Sequence, residues 1–176
     1  MTVMRHLLAI LLLPVVVTVV VPHWLMDAEL PLAGALHAPP AVARGAHVLG
    51  ALLFLAGGAL FLWCVVLFAR VGQGTLAPWD PTRRLVVAGP YRYVRNPMIS
   101  AVAVVLAGEA LLHRSPRLAA WLALFVALNQ VYFLLVEEPG LERRFGAAYL
   151  RYRRAVPRWV PRRRAWRDEP PTTGAT

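Results

Sequence analysis

Four apolar stretches decide what this chain can fold into: Leu7 to Met26, Val48 to Ala69, Pro97 to Leu112 and Leu118 to Val136. Each approaches the ~20 residues a helix needs to cross the hydrocarbon core of a bilayer. Only the third is short, at about 24 Å for a rise of ~1.5 Å per residue, a length that local thinning and flanking residues accommodate. Of the 176 residues, 59% are hydrophobic, beyond the usual soluble range. The expected fold is an all-α integral membrane protein with about four transmembrane helices and a C-terminal amphipathic helix on the cytoplasmic side. Residues 1–167 read as a single domain with its core at about 70–161, and residues 168–176 as a flexible tail. Arg5 ahead of the first apolar run raises the alternative of a signal peptide, against which stand the length of the run and the lack of a small-residue cleavage site.

All 19 basic residues are arginine, and the net charge is +10. If the N-terminus lies inside, only Arg44, Arg114 and Arg117 fall outside, so the positive-inside rule puts both termini and the connection from Arg70 to Asn96 in the cytoplasm. For a prokaryotic chain the compartment is the plasma membrane. The positive charge sits beside apolar segments without any nucleic-acid-binding signature, which points to anionic membrane lipids and away from nucleic acid. Cys64 is the only cysteine, and the histidines His6, His23, His37, His47 and His113 lack ligand spacing, so no metal is expected.

Asp27 to Ala46, rich in Pro, Ala and Gly, reads as an external loop. The connection Arg70 to Asn96 is longer than a hairpin requires and is expected to fold over the cytoplasmic face. His113 to Arg117 is short enough to force the third and fourth spans into an antiparallel hairpin. Asn96 and Pro97 must then lie near Glu137 and Glu138. Beyond EEPG, Leu141, Phe145, Tyr149 and Tyr152 recur at near-helical spacing among arginines, the pattern of an interfacial amphipathic helix.

Asn96 is a favoured N-cap and Pro97 suits a first helical turn, so the N–H groups of Met98, Ile99 and Ser100 are expected to face the cytoplasm as an anion site, with Arg92 and Arg95 adding positive charge. Glu137 and Glu138 fall in the last turn before Pro139 and Gly140 stop the helix, where the dipole disfavours negative charge. Something cationic should compensate them. One reading is an ion pair from Arg92 or Arg95 that staples the hairpin. The other is a pocket with an anion-binding and a cation-binding end, which suits a zwitterionic sulfonium such as S-adenosylmethionine.

The run GPYRYVRNPM, followed further along by EEPGLERRFGAAYLRYRRAVPR, resembles the isoprenylcysteine carboxyl methyltransferase and phospholipid methyltransferase families of membrane methyltransferases. Their pattern is a G-x-Y turn, R-H-P-x-Y, a helical hairpin, E-E-x-x-L, F-G and a Y-x-x-Y-like tail ending near V-P. The resemblance covers about Leu85 to Pro161. It implies a cytoplasmic S-adenosylmethionine site contacted by Leu85, Val86, Tyr91, Asn96, Pro97, Met98, Ile99 and Glu137, with Gly89 making the turn and Arg95 and Glu138 supporting it. It also implies in-line methyl transfer to a lipid or lipophilic small molecule. Asn96 stands where these families usually have histidine and Ile99 where they usually have tyrosine. Phe133 replaces an arginine that binds substrate in the eukaryotic protein methyltransferases. The alternatives are an NADPH-dependent membrane reductase related to sterol reductases and a non-enzymatic membrane protein.

Other features read as structural. Glu109 is expected near the outer interface, paired with Arg114 or Arg117. Asn129 and Gln130 suit either interhelical hydrogen bonds or a polar substrate group. Gly72 and Gly74 do not make a dinucleotide fingerprint. Trp79, Tyr149, Tyr152 and Trp159 are expected to anchor at the interface.

Overall fold

A computed structural model describes residues 13–27, 39–71 and 85–167, and among them every regular element is helical. Helix α1, Leu13–Asp27, contains a π-helical turn at Val16–Val20. Helices α2 (Pro40–Val71), α3 (Pro97–His113) and α4 (Pro116–Tyr132) follow; a π-helical turn, Phe133–Glu137, then joins α4 to α5 (Glu138–Ala155). Two helices are long and apolar enough to cross a membrane, α2 over Pro40–Leu67 and the continuous Pro116–Ala155, while α1 and α3 are shorter apolar helices. In the second, the apolar part ends at Val136; from Glu137 onwards charged residues recur. Only 17% and 11% of the two apolar windows are buried in the protein. Leu52, Leu55 and Leu62 of α2, with Leu128 of α4 and Leu135 of the π turn, point outward. A core helix of a soluble protein would bury these faces; lipid can cover them.

Helix α2 begins at Pro40, so the expected external loop to Ala46 is too long. Pro40 has the fixed φ of a first helical turn, and the Ala43 N–H bonds the Pro39 carbonyl at 3.1 Å. Helix α3 packs along α2 more extensively than any other pair. Glycine makes this possible. A Cβ on Gly108 would come within 2.6 Å of the Phe54 nitrogen, and one on Gly50 within 2.8 Å of the Gly108 carbonyl oxygen. The two backbones therefore touch, as small residues allow between apolar helices.

The hairpin between α3 and α4 is as tight as expected. Arg114 turns the chain in the left-handed region at φ 48°, and the Ser115 side chain caps α4 by accepting from the Leu118 N–H at 3.4 Å. Val102 and Leu106 of α3 pack with Phe125 of α4, flanked by Val17 of α1 and Phe61 of α2. Glu109 shares that inward face and is buried, and its Oε2 has no hydrogen-bond partner. The expected pair with Arg114 or Arg117 is absent among the described residues. Both arginines are exposed beyond the turn, and Arg117 donates instead to the Leu25 carbonyl at 3.5 Å.

The sequence also misplaces the end of the fourth apolar helix. Pro139 and Gly140 do not stop it. Proline lacks an N–H and crowds the carbonyl four residues earlier, and widening the preceding turn to π geometry relieves both problems. The Glu138 N–H accordingly reaches back to the Phe133 carbonyl, and the chain runs on helically into α5. The break comes at Gly146, whose φ of 51° and ψ of −128° lie outside the helical region.

Candidate active site at the junction of α3, α5 and the tail

Val86 to Pro97 packs against α2 at one end of the helices. Gly89 has φ 52°, the conformation the expected turn requires, and it opens a 3-10 turn over Gly89–Arg92. This turn inserts Tyr91 against Cys64 of α2, where Val86 and Met98 join it in one cluster. The carbonyl of Tyr91 accepts the Tyr152 hydroxyl at 2.6 Å. Burial pushes both phenols up, well above the ordinary tyrosine range, so both stay neutral near pH 7.

The C-terminal segment closes over the turn. The Arg95 N–H bonds the Pro157 carbonyl at 2.9 Å, that of Arg162 the Tyr93 carbonyl at 3.0 Å, and that of Trp166 the Arg92 carbonyl at 2.9 Å. Arg92 turns its Nε to the Trp166 carbonyl at 2.8 Å rather than to the acids. Tyr149, Tyr152 and Val156 form the buried centre of this clamp, with Leu85 and Trp166 around them. Tyr149 and Tyr152 are thus core residues, not interfacial anchors. Trp159 donates its Nε1 to Gln130 Oε1 at 2.9 Å, whereas Asn129 donates to the Phe125 carbonyl of its own helix. Trp79, Gly72 and Gly74 lie outside the described residues.

The hairpin brings Asn96 and Pro97 to Glu137 and Glu138, as its length requires, and the two acids meet different surroundings. Glu138 is buried among arginines: Arg95 Nη1 donates to its Oε1 at 2.7 Å, Arg158 Nε to the same oxygen at 2.8 Å, and Arg153 Nε lies 3.5 Å from Oε2. Arg95 and Arg158 are themselves largely buried. Arg95 and Arg158, which pair with Glu138, also pull on Glu137. Its contact is Asn96, whose amide, with its nitrogen toward the acids, donates to Glu137 Oε1 at 3.3 Å and to the Arg95 carbonyl at 3.0 Å. Glu137 lies just past the apolar part of its helix. Burial first, and the neighbouring Glu138 second, raise its pKa from 4.5 to about 7, against the opposing pull of Arg158 and Arg95. A deprotonated Glu137 would therefore be stabilised by a further cation beside it.

At the other wall of this junction, Asn96 makes no side-chain cap to α3. The amide nitrogen turns to Glu137 and the Arg95 carbonyl instead. Ser100 N–H is not available, because it bonds the Asn96 carbonyl at 3.0 Å. The Ile99 side chain packs against the Val102, Leu106 and Phe125 cluster of α3 and α4. Leu85 likewise packs into the tail clamp. The structure therefore gathers Val86, Tyr91, Arg95, Asn96, Pro97, Met98, Glu137 and Glu138 around the junction but turns the side chains of Leu85 and Ile99 elsewhere. Arg153 and Arg158 were not identified from sequence. Only the V-P at Val156 and Pro157 marked their neighbourhood, and nothing singled out two arginines from the many in the tail.

Histidine, cysteine and acid side chains form no metal-binding group of three or more among the described residues. The architecture is that of a helical protein with a buried polar site where apolar helices end. Residues 45–148, more than half of the chain, match the phospholipid methyltransferase family, and the chain belongs to that family. The match runs from α2 into α5 and includes Arg95, Asn96, Glu137 and Glu138, while Arg158 and the clamping tail lie beyond it. No curated protein and no solved structure matches the chain at a significant level.

Proposed function

We propose that this chain transfers a methyl group from S-adenosylmethionine to a lipid or lipophilic acceptor at the cytoplasmic face of a membrane crossed by α1 to α4. The observation that carries the reading is the contrast between the two adjacent acids. Glu138 is neutralised by arginines of the loop and the tail, whereas the partly buried Glu137 receives the Asn96 amide and only the longer-range pull of Arg158 and Arg95.

The residues fit a zwitterion. Glu137 would take an ammonium group, with Asn96 holding the carboxylate in place. The first turn of α3 offers its backbone N–H groups to a carboxylate. Val86, Tyr91 and Met98 supply an apolar wall. Bound there, S-adenosylmethionine supplies an already activated methyl group. The chain's contribution is alignment of the acceptor and exclusion of water. The tail clamp supports the second role, because Tyr152 and Trp166 cover the turn that carries Tyr91.

The outward apolar faces of α2 and α4 support insertion in a bilayer, and the placement of the arginines supports termini on the same side as the site. Asn96 replaces the usual histidine without losing a donor. Isoleucine at 99 costs the site little through its side chain, because that side chain packs against the Val102, Leu106 and Phe125 cluster. No observation favours a reductase.

Calorimetric titration of the purified protein in lipid nanodiscs tests the proposal. S-adenosylmethionine and its demethylated product should bind saturably, NADPH should not, and Glu137→Gln and Asn96→Ala should each weaken binding at least tenfold while retaining the helical circular dichroism of the parent. Saturable NADPH binding, or binding indifferent to Glu137→Gln, would reject it.

A further inference from the structure

Between the end of α5 at Ala155 and Arg162, whose N–H bonds the Tyr93 carbonyl at 3.0 Å, the tail makes an excursion along α4. Its anchor is Trp159, which donates Nε1 to Gln130 Oε1 at 2.9 Å and packs on Phe133 at 5.7 Å between ring centroids. Gln130 lies ~10 Å from Glu137 along the helix, back within its apolar part. Trp159 therefore reaches past the level of the acids toward the membrane interior. Val160, next in the chain, is 73% exposed, and Pro161 beside it is exposed as well. They share this level with Leu128 and Val131 of α4, which also point outward, and apolar side chains there meet lipid rather than water. Charge follows at once. Arg163 and Arg164 are exposed, and neither they nor Arg162 pair with an acid among the described residues. Arg162 Nη1 is buried without a hydrogen-bond partner there. Arg95, Arg153 and Arg158, by contrast, are all held by Glu138.

We infer that the bend at residues 159–164 docks on anionic phospholipid of the leaflet that borders the site, as a closing ligand and not as the methyl acceptor. Val160 and Pro161 lie below the phosphates, and Arg162, Arg163 and Arg164 lie among them. An apolar tip followed by three uncompensated cations matches a leaflet edge, acyl chains first and anionic headgroups above. Nucleic acid would meet the arginines and leave Val160 uncovered. The same segment carries the effect to the site, because Arg158 holds Glu138 and the backbone bonds of Arg95, Arg162 and Trp166 clamp the tail over the turn that bears Tyr91. A ligand that binds only the docked segment favours the closed clamp. The anionic content of the leaflet then sets how firmly the cofactor pocket is shut, a consequence that rests on the proposed function, whereas the docking itself does not.

The test uses the full-length protein in nanodiscs of phosphatidylcholine alone or mixed with phosphatidylglycerol. A nitroxide attached through Val160→Cys, selective because Cys64 is fully buried, reports depth by its collisions with oxygen against those with a water-soluble nickel chelate, and it should lie below the phosphates. Hydrogen exchange at the Arg162 and Trp166 amides should slow at least fivefold when phosphatidylglycerol is present, and S-adenosylmethionine should bind severalfold tighter. Arg163→Gln combined with Arg164→Gln should remove both gains, as should high salt. Arg143→Gln combined with Arg144→Gln, exposed on α5, should keep most of each. A nitroxide in water, exchange indifferent to the lipid, or equal losses from the two double variants overturn the inference, the last because a diffuse basic surface would then suffice. Slowing of the same amides in detergent by single-stranded RNA or by inorganic phosphate overturns it too, by assigning the arginines to nucleic acid or to a free anion. If S-adenosylmethionine binds under none of these conditions, the proposed reaction fails, and depth and exchange still decide the docking.

Discussion

Replacing Glu137 by glutamine separates a ligand-binding acid from a structural one. The folded-state pKa of about 7 exceeds the ordinary 4.5, so the fold disfavours the ionised carboxyl. The sign follows from linkage. Below about pH 4.5 the group is protonated in both states and costs nothing; through the window up to about 7 the unfolded chain is ionised while the folded one is not; above it the loss is constant. At about 1.4 kcal/mol per pH unit, a difference of this size amounts to about 3 kcal/mol as an upper value. Glu137→Gln removes that cost. At pH 8 the ligand-free variant should unfold above the parent, by on the order of 6–12 °C at most for a chain of this size, and at pH 4.5 the two should coincide. Glu138→Gln should do the opposite. It leaves the largely buried Arg95 and Arg158 without their carboxylate, a loss of about 3–5 kcal/mol when one partner of a buried pair is removed. Thermal unfolding followed by circular dichroism in nanodiscs measures both. Added S-adenosylmethionine should raise the midpoint of the parent and leave that of Glu137→Gln where it is. If Glu137→Gln is destabilised at pH 8 alongside Glu138→Gln, the two acids form one structural ion cluster and the contrast that carries the functional reading is wrong.

Affinity for S-adenosylmethionine should strengthen between pH 6 and pH 8 with the release of a proton, because an ammonium group needs ionised Glu137; calorimetry in buffers of different ionisation enthalpy measures the proton, and its absence would assign the ammonium elsewhere. Tyr152→Phe removes the donor to the buried Tyr91 carbonyl and should cost about 1–3 kcal/mol, read as a lower unfolding midpoint and faster proteolysis of the C-terminal segment. Gly108→Ala forces α2 and α3 apart, because the new Cβ meets the Phe54 backbone nitrogen at 2.6 Å; it should destabilise the protein by about 1–3 kcal/mol, whereas Gly58→Ala, with nothing within 4 Å, should be neutral or stabilising.

The parts of this fold that were legible in the sequence are those fixed by one-dimensional rules. Apolar length located the helices, and the brevity of the turn at Arg114 and Ser115 was enough to bring Asn96 to Glu137 across the hairpin. The turn at Gly89 came from the family resemblance, and its positive φ suits a glycine. What stayed hidden depends on which face of a helix a residue occupies and on compensations between neighbours. Pro139 reads as a stop by any local rule, yet the five residues before it open into a π turn and remove the clash, so the charged helix is continuous with the apolar one. Tyr149 and Tyr152 look amphipathic among arginines; they become core only because the loop supplies Tyr91 and Leu85 to cover them. Among many arginines of the tail, composition cannot say which two reach Glu138, and that choice decides which acid is left for a ligand. The same shift of one helical position, about 100° of rotation at 3.6 residues per turn, separates Met98 at the site from Ile99 against the α3–α4 cluster. An aromatic residue restored at 99 would therefore crowd the Val102, Leu106 and Phe125 cluster before it could reach the site. Ile99→Tyr should lower the unfolding midpoint without tightening S-adenosylmethionine binding, and a gain in affinity with stability intact would show that the side chain at 99 does face the cofactor.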